Sequence, residues 1–343
     1  MQLNDIKILP YQMKLEQLFV RTPRNHKQYK LIENQLLRER AGFFGESQII
    51  YPLKKWKSPH YSVHQIRLPL HTNFFQIDTF ILTFCYGIII EAKNYAGEVT
   101  FTNDFNQVIQ RKEEAEQVYT DPVIQVQEQK YQLELWLQQH NYPDIPIVPL
   151  VVMTNPRSLL KTSDRDYYKK RIISLPRLSS RLREIDEHFK REVISMGEAL
   201  TLGKLMLKEN KPYNPDILNR MKVERDELIS GIVCYECGSL SVRRINRSWE
   251  CVQCGIRDRK AHINALKDYY LLCGDKLTNH DFRRFTGLES EHAAKNLLSR
   301  AGLRHSGKTT ARVYHLDYNY NVDFNYIEKL QKLNPIVKHR GEY

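Results

Sequence analysis

A chain of 343 residues is too long for one ordinary core and sufficient for two or three domains. Fifty-two Lys and Arg against forty Asp and Glu leave a formal charge of +12, which favours a polyanionic partner but also describes a protein with basic solvated faces. The opening "MQLNDIKILPYQMKLEQLF" is broken by charges before a signal-peptide core can form, and the apolar run Phe80 to Ile90 falls short of the ~18–20 residues of a membrane helix; the expectation is a soluble, cytoplasmic protein with no membrane partner.

In chain order, residues 1–40 read as an N-terminal helical segment, with Leu31, Ile32, Gln35, Leu36 and Leu37 giving an amphipathic stripe before "RERAGFFGE". From 41 to 160 the texture is α/β. An apolar stretch, "QIDTFILTFCYGIIIEAKNYAGEV", is followed by a helix that Asp121 caps and Pro122 opens, and then by the strand-like "IPIVPLVVMTN". Residues 161–230 read as a charged helical connector, 231–262 hold two cysteine pairs, and 263–343 form a small helical unit containing the strand-like "ARVYHLDY".

The apolar stretch divides into strands Phe75 to Thr83 and Ile88 to Tyr95 around a turn at Phe84 to Gly87, an antiparallel hairpin. Its parity puts Asp78 opposite Glu91 or Lys93, with all three charges on one face and Ile88, Ile90 and Ala92 on the other. Carboxylates about 5 Å apart repel unless a divalent cation lies between them, and a lysine beside them can position and deprotonate water or steady a phosphate oxygen. A Glu-x-Lys on a strand is also a common solvated ion pair. Here it ends a buried strand and is joined by an Asp of matching parity.

These residues resemble the PD-(D/E)XK nuclease motif, and the wider pattern resembles the NERD (nuclease-related) domain. The family's Gly-x-x-Gly-Glu is matched by Gly42-Phe43-Phe44-Gly45-Glu46, and its Gln-hydrophobic-Asp by Gln76-Ile77-Asp78. Its Glu-x-Lys-Asn-Tyr-x-Gly is matched by Glu91 to Gly97, and its Asn/Asp-Pro-x-x-Gln by Asp121 to Gln125. The resemblance covers residues 41–160. It implies a restriction-endonuclease-like core, a central mixed sheet flanked by helices. It also implies that Glu46 joins Asp78 and Glu91 around Mg²⁺ or Mn²⁺, that Lys93 is the catalytic lysine and that Gln125 lies near the phosphate. Ile77 stands where the superfamily name has Pro, and Pro52 follows Glu46 closely enough to predict a short or kinked helix there. Gln127-x-x-x-Tyr131 resembles an element of the RecB-like branch, or is chance on a Gln-rich helix.

Cys234, Cys237, Cys251 and Cys254 form C-x2-C-x13-C-x2-C, each pair followed by a glycine, Gly238 or Gly255, that lets the chain turn and present N–H groups to the thiolates. Four thiolates suit structural Zn²⁺, with redox pairs or disulfides as the alternatives, and some members of the family carry such a ribbon. Cys85 and Cys273 read as buried or partly buried thiols. Arg243, Arg244, Arg247, Arg257, Arg259 and Lys260 with Trp249 give the ribbon a basic surface bearing an aromatic that could contact nucleic acid, or a solvated scaffold.

Further on, "TNHDFRRFTGL" and "ESEHAAKNLLSRAGL" read as two helices, followed by the basic "RHSGKTTARVYHL", a pattern similar to a helix-turn-helix with a wing or to a helical pair packed on the ribbon. Lys295, Arg300, Arg304 and Lys308 are its candidate nucleic-acid contacts. Gly302 to Thr309 satisfies G-x-x-x-x-G-K-[ST], but a helix precedes it and a strand follows, so no ATP site is expected. The expectation is a metal-dependent nuclease acting on nucleic acid, with DNA favoured. The alternative is a binding module that keeps the fold without turnover.

Overall fold

The computed structural model describes residues 1–333 except 103–104, 113–114 and 309–310. Two helices, α1 (Pro10–Arg21) and α2 (Tyr29–Gln48), open the chain. The chain then divides into two compact units, the first made of Met1–Lys7 with Arg40–Pro212 and the second of Ile8–Glu39 with Tyr213–Tyr343. The division falls inside α2.

The first unit is built on a five-stranded mixed sheet. After α3 (Ile50–Lys55) come β1 (Tyr61–Leu70), β2 (Asn73–Leu82) and β3 (Gly87–Lys93), all antiparallel. A smaller sheet begins with β4 (Glu98–Thr102), β5 (Gln107–Lys112) and β6 (Ala115–Thr120). Then α4 (Pro122–Gln139) carries the chain to β7 (Ile147–Met153), which runs parallel to β3 as such a crossover requires. The next elements are β8 (Leu159–Thr162), α5 (Arg165–Tyr168), β9 (Ile172–Ser174), α6 (Leu178–His188) and α7 (Met196–Glu209). The main sheet has the order β1-β2-β3-β7-β9, and β8 joins the smaller one in the order β6-β5-β4-β8. Residues expected to form a helical connector therefore include strands of both sheets, and through Pro212 they belong to this unit.

β3 is apolar on both sides because both sides are covered. Ile88 and Ile90 pack with Ile81, Leu150 and Leu182, while Ile89 packs with Phe80, Val126 and Trp136. The hairpin closes through Leu82 paired with Gly87, and Thr83 Oγ1 accepts from the N–H groups of Cys85 and Tyr86 within the turn. Helix α4 starts as its residues dictate: Asp121 accepts from the Val123 N–H at 2.8 Å, Pro122 needs no donor there, and Tyr168 donates to the other carboxylate oxygen at 2.6 Å. Pro52 neither kinks nor shortens the helix carrying Glu46, because α2 runs to Gln48 and Pro52 lies in the first turn of the separate α3.

The second unit continues after α1 with α8 (Ile217–Met221) and the ribbon sheet β10 (Val242–Ile245), β11 (Ser248–Cys251) and β12 (Arg257–Asp258). There follow α9 (Ala261–Cys273), β13 (Lys276–Thr278), α10 (Asn279–Thr286), α11 (Glu291–Arg300), β14 (Arg304–Ser306), β15 (Val313–His315) and α12 (Ile327–Leu333). The last three strands pair in the order β13-β15-β14. Leu15, Leu18, Ile32 and Leu36 from the start of the chain share a core with Leu266 and Phe282, whereas Leu31 of the expected stripe is exposed. Within this core Arg21 and Asp268 are both fully buried, 3.5 Å apart. Arg21 also donates to Gly231 O and lies 3.9 Å over the Phe285 ring, while Asp268 accepts from Tyr235 and Tyr326. Among the described residues no helix is long and apolar enough to cross a membrane. The Gly302–Lys308 run follows α11 and passes through β14, and Thr309 lies outside the described residues.

Candidate functional site

The register of β2 with β3 ends at Thr79 opposite Ile90, so the next position sets Asp78 against Glu91. Both side chains are buried, at 9% and 3% exposure. Asp78 Oδ2 accepts from the Ala92 N–H at 2.9 Å, which fixes the carboxylate on the end of β3. Lys93 donates to Glu91 Oε1 at 2.6 Å and to Gln125 Oε1 at 2.9 Å, and Gln129, one turn further along α4, donates to Glu91 Oε2 at 2.8 Å. The Gln129 Oε1 atom is buried with no hydrogen-bond partner among the described residues.

Glu46 reaches the same place from the last turn of α2. Gln65 Nε2 donates to Glu46 Oε2 at 2.9 Å, and the Gln65 Oε1 atom accepts from the Lys7 N–H. Gln65 sits at a break in the β1–β2 ladder, between the pairs His64–Thr79 and Ile66–Ile77, with a left-handed φ of 53°. At this break the inward alternation changes phase: Val63 and Phe80 on one side of it, and Ile66 and Ile77 on the other, enter one core cluster. A non-glycine residue held at positive φ is strained, and such strain gathers at sites the surrounding fold over-determines. Gly45 lets α2 approach, because a Cβ there would lie 2.9 Å from Thr154 Oγ1 and 3.0 Å from Asn94 Cβ; Gly42 faces no such contact. Asn94 donates to the Ala41 carbonyl at 3.0 Å and ties the end of β3 to the helix.

The electrostatics follow from this crowding. Burial, then the nearby Glu91 and Glu46 charges, push the Asp78 carboxyl well above its ordinary range, against the opposing pull of Lys93. Burial alone would lower the Lys93 ammonium, but Glu91, Tyr95 and Asp78 more than offset it and hold the pKa above the usual lysine value. Lys93 is therefore a charged donor at neutral pH. Glu46, Asp78, Glu91, Lys93 and Gln125 thus come to one corner of the sheet. Gln65, Gln129 and Asn94 join them without having been singled out for this. Gln129 had a signal, its spacing of one helical turn from Gln125; Gln127 is only partly buried and Tyr131 is exposed.

In the second unit the four cysteines converge, with all ligand atoms within 4.8 Å of one another. Cys234 and Cys254 sulfurs are 3.7 Å apart and those of Cys237 and Cys251 3.6 Å, close to the ~3.8 Å edge of a tetrahedron with 2.3 Å Zn–S bonds. Gly238 and Gly255 both have φ above 70°, and each returns its N–H to the carbonyl of the first cysteine of its pair. The cluster is capable of holding a metal ion, and its donor chemistry supports a structural zinc site. Among the described residues it is the one group of three or more potential ligands drawn this close, so the carboxylates of the first unit are more loosely gathered than the thiolates.

The candidate nucleic-acid contacts are scattered differently from expectation. Trp249 is 2% exposed and donates from its indole to His262, so its ring cannot offer a free face to a base. The reason is its inward position on β11, where it joins the core with Leu266. Arg243, Arg247, Lys295, Arg300 and Lys308 are exposed, and Arg304 is paired with Asp317 at 3.2 Å.

Residues 41–154 match the family model of the nuclease-related domain, NERD, a span that contains Glu46, Asp78, Glu91, Lys93 and Gln125. No curated protein and no solved structure matches the chain. A mixed sheet flanked by helices, with this match, resembles a nuclease-like α/β core, and the chain adds to it a four-cysteine cluster that could hold a metal ion.

Proposed function

We propose that the protein is a divalent-metal-dependent nuclease that hydrolyses phosphodiester bonds of nucleic acid, DNA in the first instance, on a PD-(D/E)XK core spanning residues 41–160. The observation that carries this reading is the placement of Lys93 between Glu91 and Gln125, beside an Asp78 whose own carboxyl is held in place by the Ala92 N–H. Asp78 and Glu91 are buried near a half-buried Glu46, and the charges of Glu91 and Glu46 oppose ionisation of Asp78, while a Gln129 oxygen with no partner among the described residues belongs to the side chain that holds Glu91. Both features fit a hard cation with its water, which Asp78, Glu91 and Glu46 would hold. Mg²⁺ or Mn²⁺ bound there would polarise a phosphoryl oxygen and acidify a water. Lys93, being charged, serves as a donor to a phosphate oxygen and a counter-charge in the transition state rather than as a proton acceptor. Gln125 orients Lys93, and Gln129 holds the Glu91 carboxylate.

The C-terminal elements run helix, strand, helix, helix, strand, strand from α9 to β15, with β15 between β13 and β14. This order supports a winged-helix-like unit at 263–333, next to the ribbon at 231–262, as a nucleic-acid-holding part. A second reading, binding without turnover, draws on two observations: Lys93 occupies Glu91 Oε1, and among the described residues the carboxylates are not gathered as closely as the thiolates. Incubating the protein with labelled single- and double-stranded DNA and RNA, with Mg²⁺, Mn²⁺ or EDTA, separates the two. Cleavage that requires the cation supports the first reading. Binding without cleavage under every condition supports the second.

A further inference from the structure

The second unit has a cleft of about 870 Å³ lined by the β10–β11 hairpin, the start of α9 and the end of α11. Its walls carry Arg244, Arg247, Arg259, Lys260 and Arg300. One carboxylate, Glu250, is among its lining residues, and Arg257 already takes it, donating at 2.5 Å. Arg247, Arg259, Lys260 and Arg300 make no ion pair among the described residues. Arg244 lies 5.1 Å over the Trp249 ring and leaves its Nη1 buried with no acceptor among the described residues. A buried donor of this kind costs free energy that no acceptor among the described residues offsets. Arg244 and Arg300 both line the cleft, and burial, then the like charge of Arg300, lower the Arg244 pKa from its ordinary value. Helix α9 starts at the same wall with no side-chain cap and no acidic residue in its first turn, which adds the positive end of its dipole.

We propose that this cleft holds a phosphate group of the nucleic-acid backbone, with Arg244 and Arg300 as the pair that grips it and Arg247, Arg259 and Lys260 along its approach. A phosphodiester supplies what the cleft lacks: acceptor oxygens for planar guanidinium forks and negative charge between repelling cations. Trp249 is buried beneath Arg244, so contact is with the backbone rather than with a stacked base, and recognition at this site is of charge without sequence. The inference deepens the nucleic-acid reading and rests on it, but not on cleavage.

The test is fluorescence anisotropy of labelled 20-nucleotide single strands and 20-base-pair duplexes on the full chain, without added divalent cation, across a salt series. Arg244→Gln with Arg300→Gln is expected to weaken binding about ten-fold or more. It should also flatten the salt dependence by about 0.9 per lost contact on duplex and 0.7 on single strand, equally for unrelated sequences. Because Arg244 also packs on Trp249, zinc content is measured in parallel. Arg247→Gln with Lys260→Gln, both at exposed side chains, repeats the test without disturbing that packing and should give a smaller loss in the same direction. Lys222→Gln, exposed and outside the cleft, should leave affinity within two-fold. The proposal is overturned if the exposed pair of substitutions leaves affinity and salt slope unchanged in zinc-replete protein, or if poly-glutamate of matched charge displaces the oligonucleotide as well as inorganic polyphosphate does. Cation-dependent cleavage failing while these effects appear would sink the nuclease reading and leave the cleft standing.

Discussion

Gln129 donates to the Glu91 oxygen that Lys93 does not take, at 2.8 Å, from one turn along the helix that also presents Gln125 to Lys93. One face of α4 thus fixes both the carboxylate and the cation of the site. Gln129→Ala should lower any cation-dependent cleavage 10- to 100-fold and weaken Mn²⁺ binding, as loss of a residue that orients a ligand does. Nucleic-acid affinity measured without cation should be unchanged. Equal loss of cation-free nucleic-acid affinity would point to a general structural role instead.

Lys93→Met removes a charged donor but no cation ligand. Cleavage should be abolished while calorimetric Mn²⁺ binding persists, because a charged ammonium has no lone pair to offer a cation and the carboxylates remain. Cleavage surviving at the wild-type rate in this variant would remove Lys93 from the chemistry.

Asp78 gives a prediction with a defined sign. Its folded pKa is raised by burial and by Glu91 and Glu46, so the folded state binds its proton more tightly than the unfolded chain. The stability linked to this group is full below the unfolded carboxylate range and is lost as pH rises through the raised value. At neutral pH without cation, Asp78→Asn should therefore raise the melting temperature, at roughly 2–4 °C per kcal/mol for a unit of this size. Mg²⁺ or Mn²⁺ should raise the melting temperature of the unsubstituted protein and not that of the variant. A variant less stable than the parent at pH 7 in EDTA-free, cation-free buffer would contradict the account of mutual repulsion.

Arg21 and Asp268 are a buried pair in a network that two tyrosines complete. Arg21→Met leaves a buried carboxylate uncompensated and should cost about 3–5 kcal/mol in chemical denaturation. Adding Asp268→Asn, which keeps an acceptor for Tyr235 and Tyr326, should recover part of that loss. Additive losses in the double variant would show that the pair does not couple.

Cys251→Ser should release the metal and unfold the ribbon locally, since a thiolate set closed around one ion contributes directly to folding. Elemental analysis should find about one zinc per chain in reduced protein and little in the variant. A metal-free, fully folded wild type would overturn the assignment.

What the sequence determined by itself was whatever local spacing dictates. Period-two alternation put Asp78, Glu91 and Lys93 on one face, and the register agrees. Asp121 and Pro122 marked the start of α4, because a cap and a locked φ act within a single turn. The cysteine spacing, with a glycine after each pair, specified two matching turns and one ligand set. Only the tertiary structure decided which distant side chains meet these. Glu46 reaches the site because Gly45 lets α2 close on Asn94 and Thr154, and Gln65 then takes its carboxylate. Trp249 reads as a basic surface's aromatic in sequence but faces inward on β11. Likewise Ile8–Glu39 joins Tyr213–Tyr343 in one unit although just over half the chain separates them. Burial and pairing between remote segments depend on how whole elements pack, and no local period carries that information.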